Sequence, residues 1–218
     1  ALARMKRLNR EEDKLKLKKD KYPPMIKASQ KVGLYCNIVF FIFLLPFCIT
    51  LEAQPLWLIP LHILAILMVY DFFYYLMHRF LFHGQSYLRQ VHAVHHQARS
   101  RVSSIDSHLL HPVELIMGIA LFYIVTTVIA LISGQAFQVS TIIIATVIYT
   151  QLNQINHCRI DLHSFPWKTL NWIAIRHDAH HLDMHKGNFA TITLFYDWVF
   201  GTLEKHPLEQ EARESPAA

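Results

Sequence analysis

The pattern HxxHH occurs twice in this chain, as "VHAVHH" with His92, His95 and His96 and as "RHDAHH" with His177, His180 and His181. On an α-helix, residues three and four apart share a face, so His92 converges with His95 or His96, and His177 with His180 or His181. Adjacent positions point about 100° apart, so each pattern can serve two neighbouring centres. Neutral imidazole is a common ligand for iron, zinc and copper, and two such helices suit a pair of metal ions. A further pair, His78 and His83 in "HRFLFH", stands five apart and would diverge on a regular helix. His83 is therefore expected where the helix breaks before Gly84, with both rings reaching inward.

The elements that must position these rings are apolar. The chain is 53 % hydrophobic and only 17 % charged, and the apolar residues are bunched into four runs, about 32–51, 55–77, 112–133 and 136–155. Each is near the roughly 20 residues a spanning helix needs. The connections at 52–54 and 134–135 leave room only for turns. The expected fold class is thus an all-α integral membrane protein with four transmembrane helices in two hairpins, the first two kinked at Pro46 and Pro60. The first run reads as a retained anchor, and residues 32–218 as one membrane domain. Every Lys and Arg falls in the leader 1–31, the linker 78–111 or the tail from about 158. By the positive-inside rule the termini and a histidine-rich helical cap, built from 78–111 and 158–218, are cytoplasmic, at a bacterial inner membrane or the endoplasmic reticulum.

The net charge of +5 is local, because residues 1–31 carry eleven Lys/Arg against four Asp/Glu. With no aromatic or glycine readout motif beside it, this basic leader points to anionic lipid and not to nucleic acid. "REEDKLKLKKDKYPP" reads as a short surface helix stopped by Pro23 and Pro24. The three cysteines, Cys36, Cys48 and Cys158, form no CxxC pair and no disulfide framework.

Other polar residues bear on the same chemistry. Asp71 lies seven residues before His78, on its side of the helix and about 10 Å away along the axis, so it is expected to orient a different ligand. Asp178 and Asp183 flank the last pattern and can accept the second ring N–H of a ligand histidine; solvated helix charges are the alternative. His185 follows His181 by four, as a neighbour or a further ligand. His62 reads as interfacial and His206 as solvated. His108 and His111 read as the start of the third span, with Pro112 in its first turn and Glu114 at its positive end.

At "HRFLFH", "VHAVHH" and "RHDAHH" the chain resembles the fatty acid hydroxylase and sterol desaturase superfamily of integral-membrane di-iron oxygenases. Further features of that superfamily stand in order over about 55–204: "DFFYYLMHR", Asn156 with His157, "GNFA" and "FYDWVFGT". The resemblance implies His78, His83, His92, His95, His96, His157, His177, His180 and His181 as ligands to two non-haem Fe ions. It also implies O2 as co-substrate and hydroxylation or desaturation of an unactivated C–H in a membrane lipid, fatty acyl or sterol-like. Where fatty acid 2-hydroxylase-like members place two histidines four apart, this chain has Asn153 and His157, so Asn153 or His163 is a candidate for the remaining position. Ala190 and Tyr196 replace a glycine and a tryptophan of many relatives. No "HPGG" segment, ferredoxin cysteine set or GxGxxG occurs, so electrons are expected from an external cytochrome b5-like or ferredoxin-like donor, docked by basic linker residues such as Arg99 and Arg101. The rivals are a membrane metal-binding or haem electron-transfer protein and a zinc hydrolase or zinc-binding transport accessory. Haem would want histidine pairs inside the spans, and HxxHH lacks the glutamate of the HExxH zinc pattern.

Overall fold

A backbone at membrane depth must satisfy its own N–H and C=O groups, which favours helix for long apolar runs. The computed structural model describes residues 2–98, 102–160 and 164–207; Arg99, Arg101 and His163 lie outside them. Among the described residues three helices are long and apolar enough to cross a membrane, Tyr22–Cys48, Leu58–Phe82 and Pro112–Ser133, and Val139–Ile155 is a shorter apolar one. In chain order the helices are α1 (Leu2–Leu17), α2 (Tyr22–Phe43), α3 (Leu45–Cys48), α4 (Leu58–Leu76), α5 (Tyr87–His92), α6 (Pro112–Ser133), α7 (Val139–Ile155), α8 (Trp167–Leu182) and α9 (Phe195–Val199).

Among the described residues the expected all-α character is interrupted once. Ile49–Thr50 (β1) pairs in parallel with Phe137–Gln138 (β2), and Gln54 Nε2 donates to Ala136 O at 2.8 Å. This clip fastens the two hairpin turns side by side. Between the hairpins, α6 packs on α2 and α4, and α7 on α4. Aromatic rings fill the seam: Phe40 stacks on Tyr123 at 3.7 Å, and Tyr70 meets Phe122 at 5.7 Å and Tyr149 at 5.1 Å. Leu34 and Ile42 of α2, Leu61 and Leu64 of α4, Ile132 of α6 and Ile143 of α7 face outward and are exposed. So continuous an apolar exterior suits lipid, not water.

Two expectations about the leader need correction. Pro23 and Pro24 do not stop a helix; they stand in the first turn of α2, where a missing N–H costs nothing because that group has no intrahelical acceptor anyway. The helix therefore starts ten residues before the apolar run. Nor is the charge of α1 all solvated or turned to lipid. Lys16 is 3 % exposed and its Nζ donates to Asp106 Oδ2, while Tyr22 Oη donates to Asp106 Oδ1 at 2.6 Å. Asp13 receives Ser104 Oγ and Ile105 N. The leader is a strap closed over the 3-10 turn Ser104–His108. Pro46 does mark a break, between α2 and α3, whereas Pro60 falls in the first turn of α4 and leaves it unbroken.

Candidate metal centre

The pair His78 and His83 shows how local backbone sets the site. From Met77 to Phe82 the helix widens to a π turn, closed by His83 N donating to His78 O at 3.0 Å. Five residues then make about one turn, so rings that would diverge on an α-helix meet, with their Nε2 atoms 3.2 Å apart. π turns of this kind recur at functional sites. The expected break at His83 is thus a change of pitch.

The box histidines collect into two groups, His78, His83, His92, His96 and His180, and His95, His157, His177 and His181; in each, the ligand atoms lie within 4.8 Å of one another. The two HxxHH patterns are interleaved. His92 and His96 serve the first group and their neighbour His95 the second, while His177 and His181 serve the second and His180 the first. All nine expected ligands are brought together. Within the first group, Nε2 atoms stand 2.9 Å apart for His78 and His92, 3.0 Å for His92 and His96, and 3.2 Å for His78 and His180. In the second they stand 3.2 Å apart for His95 and His157 and 3.1 Å for His157 and His177.

The outer ring nitrogens explain why the inner ones are bare. His78 Nδ1 donates to Phe189 O at 2.6 Å, His180 Nδ1 to Gly187 O at 2.8 Å, His157 Nδ1 to Asn153 O at 2.8 Å and His95 Nδ1 to Leu109 O at 3.3 Å. A carbonyl only accepts, so each Nδ1 carries the proton and each Nε2 presents a lone pair inward. Burial, followed by neighbouring imidazoles, pushes the His83 pKa down to about 3 and lowers those of His92, His95, His96, His177 and His181. Burial also brings His157 and His180 to about 4, although their carbonyl bonds oppose it. The rings are neutral at physiological pH, the form that ligates. Nitrogen ligands about 2.1 Å from an ion and at right angles to one another would lie about 3 Å apart. The donor sets fit metal ions.

The family model for fatty acid hydroxylases matches residues 63–202, which holds every one of these rings. The chain belongs to the fatty acid hydroxylase family. Among curated relatives it is 33 % identical to cholesterol 25-hydroxylase-like protein 2 of Danio rerio, over 69 % of this chain and 53 % of that one. It is 29 % identical to methylsterol monooxygenase 1 of Rattus norvegicus, over 69 % and 50 %. It is also 29 % identical to very-long-chain aldehyde decarbonylase GL1-11 of Oryza sativa subsp. indica, over 61 % and 48 %. The chain spans about half the length of the curated relatives it matches. No solved structure matches.

Several outer residues of this family member differ from expectation. Asp71 orients no histidine: Oδ1 receives Thr191 N and Ile192 N, and Oδ2 receives Thr193 N and Thr193 Oγ1, all at 2.8–3.0 Å. It fixes the loop whose carbonyls hold His78 and His180. Asp178 receives His206 Nε2 at 3.2 Å and not a box histidine, so His206 is buried rather than solvated. Asp183 receives His185 N, beyond the last turn of α8, and touches no ring directly; its charge favours the His180 imidazolium. His185 is exposed and belongs to neither group. The Asn153 amide is committed elsewhere, donating to Tyr149 O and receiving Thr191 Oγ1. His111 caps α6 as expected, its Nδ1 receiving Val113 N. His62 packs edge-on to Phe137.

Sequence reasoning missed Glu114 as a partner of the site. Its Oε1 receives His92 Nδ1 at 2.8 Å, with both side chains buried. The clue was available, because a carboxylate at the head of an apolar run is costly without a partner. Glu114→Ala is expected to weaken metal binding about 10- to 100-fold, the usual effect of removing a carboxylate behind a ligand histidine; chelator competition on the purified protein measures it.

The loop itself depends on two backbone features. A Cβ on Gly187 would stand 1.8 Å from Thr202 O, and Asn188 adopts φ +64°, a left-handed conformation that asparagine tolerates better than most residues. Its amide donates to Arg176 O and receives Glu204 N. Together they turn the Gly187 and Phe189 carbonyls toward the rings.

Proposed function

We propose that this chain is the core of an O2-dependent, non-haem di-iron oxidoreductase that hydroxylates or desaturates an unactivated C–H of a lipid, fatty acyl or sterol-like. The single observation that carries this reading is a cavity of about 180 Å³ between α4, α6 and α7, with His95, His157 and His177 in its wall. Its other walls include Tyr70, Tyr74, Leu115, Gly118, Ile119 and Tyr149, so an apolar chain resting there would reach the second histidine group along largely apolar walls. Iron held by the two groups would supply the activation of O2. The protein's part is to hold nine neutral imidazoles, those of His78, His92, His95, His157 and His180 in tautomers fixed by acceptors at Nδ1, to keep water from the reacting carbon, and to align that carbon with His95, His157 and His177. The relatives named for activity on methylsterols and very-long-chain aldehydes support a lipid substrate.

Topology follows the same reading. Val139–Ile155 would be the fourth span, with the termini and the metal centre cytoplasmic, at a bacterial inner membrane or the endoplasmic reticulum. Electrons would come from an external cytochrome b5-like or ferredoxin-like donor. A second opening of about 240 Å³, lined by His96, His181, Asp183, Met184 and His185, touches both groups and suits that donor's approach.

The deciding experiment is lipid profiling of cells with the chain, without it, and with His180→Ala or His181→Ala, beside iron analysis and O2 omission on purified protein. An oxygenated or unsaturated lipid that depends on both residues and on O2 supports the reading; none that does so removes it.

Gly118 offers a separate check on the cavity. A Cβ there would meet Tyr149 Oη at 3.8 Å and Tyr74 Cε2 at 4.0 Å, ordinary contacts, so helix packing does not demand glycine. Glycine inside a helix costs about 0.5–1 kcal/mol relative to alanine, and what it leaves is room. Gly118→Leu is expected to lower product formation about tenfold or more, a change of pocket shape worth at least a methylene or two, with iron content unchanged.

A further inference from the structure

After the metal centre the chain does not remain at the end of α4. From Phe189, whose carbonyl receives His78, it runs back along that helix: Thr191, Ile192 and Thr193 bond Asp71, and Tyr196 Oη donates to Met68 O at 2.9 Å. Met68 is ten residues from His78, about 15 Å along the axis, and two residues from the middle of the span Leu58–Phe82. The chain then returns. Phe200 stacks on Tyr75 at 5.2 Å, and Thr202 Oγ1 lies 3.1 Å from Tyr75 Oη. Residues 191–200 thus make a V against the middle of a spanning helix.

Irregular backbone is tolerated at that depth only where protein groups satisfy it. Two carboxylates do so here, Asp71 for the three N–H groups above and Asp197 for Phe189 N and Ala190 N at 2.8 Å each. Every exposed side chain of the V is apolar: Phe195 at 46 %, Trp198 at 67 %, Val199 at 48 % and Phe200 at 45 %, while Asp197, its one charged residue, is 0 % exposed. The patch is continuous with the outward face of α4, because Phe72 bridges to Tyr196 at 5.3 Å and Phe73 beside it is exposed.

We propose that residues 191–200 form a re-entrant segment immersed in phospholipid acyl chains, with Phe195, Trp198, Val199 and Phe200 as its lipid-facing side. The tail is then not wholly part of a water-facing cap. This rests on the reading of α4 as a membrane span.

The test uses tryptophan emission. The full chain carrying Trp57→Phe, Trp167→Phe and Trp172→Phe keeps Trp198 alone and is reconstituted in phosphatidylcholine vesicles, either plain or brominated on the acyl chains. Trp198 is expected to lose most of its emission in brominated vesicles and to be unaffected by aqueous iodide. Quenching by iodide and not by bromine would overturn the proposal, as would protection from both, which means that protein, such as a second copy of the chain, covers the patch. A companion form with Trp198→Phe and Leu64→Trp reports on α4. Bromine quenching at Leu64→Trp but not at Trp198 sinks the re-entrant segment alone; quenching at neither sinks the span as well. If the triple variant does not fold, the difference between the intact chain and its Trp198→Phe form gives the same readout from one exposed substitution.

Discussion

His83→Ala and His177→Ala are each expected to abolish lipid oxidation while halving iron content. His83 belongs only to the first group of imidazoles and His177 only to the second, so each substitution should empty one centre and spare the other. Removing a carboxylate behind a ligand typically costs 10- to 100-fold in metal affinity or activity; loss of the ligand itself exceeds that. Iron content should be additive, falling from about two per chain to one in each single variant and toward none in the pair. Activity should not be additive, since residues that act as a unit lose nearly everything at the first substitution. Iron analysis beside product formation separates the two patterns. Two irons and full activity in either single variant would refute the assignment of that ring.

The second large effect concerns Asp71. Asp71→Ala would strip the acceptor from Thr191 N, Ile192 N, Thr193 N and Thr193 Oγ1 at a depth where water is not at hand. Each buried donor left without a partner costs about 1–3 kcal/mol, so the total is several kcal/mol out of the roughly 5–15 kcal/mol typical of a folded domain. At about 2–4 °C per kcal/mol for a chain of this size, the thermal midpoint in detergent should fall by about 10 °C or more. Asp71→Asn, which keeps one acceptor oxygen, should fall less. Because the same loop carries Phe189 O to His78, the alanine variant should also bind iron poorly below its midpoint. An unchanged midpoint would mean that the loop is held by other contacts.

Most of the candidate metal centre was legible because its information is carried by side chains at helical spacing. HxxHH named six of the nine rings and predicted that each copy would serve two centres; the structure places His95 apart from His92 and His96, and His180 apart from His177 and His181. Family likeness, not spacing, supplied His157. What escaped lay in the backbone. The carbonyls of Gly187, Phe189, Leu109 and Asn153 have no side-chain signature, and the π turn at Met77–Phe82 uses residues an α-helix would also accept. Asp71 was rightly singled out as a costly carboxylate and wrongly aimed, since seven-residue spacing gives the side of the helix but not which distant segment packs there. For α1, charge alone could not distinguish a lipid-facing Lys16 from one buried against Asp106, ninety residues away.

The interleaving has a consequence for synthesis. Four of the five rings of the first group, His78, His83, His92 and His96, are present once the chain has been made to residue 96, whereas the second group then has only His95 and must wait for His157 and, with α8, His177 and His181. A nascent chain halted before α8 would carry one nearly finished centre and one half-made one. The order in which the two centres can be completed is therefore built into the order in which the ribosome delivers their parts, and His180, the ring that completes the first group, arrives within a turn of those that complete the second.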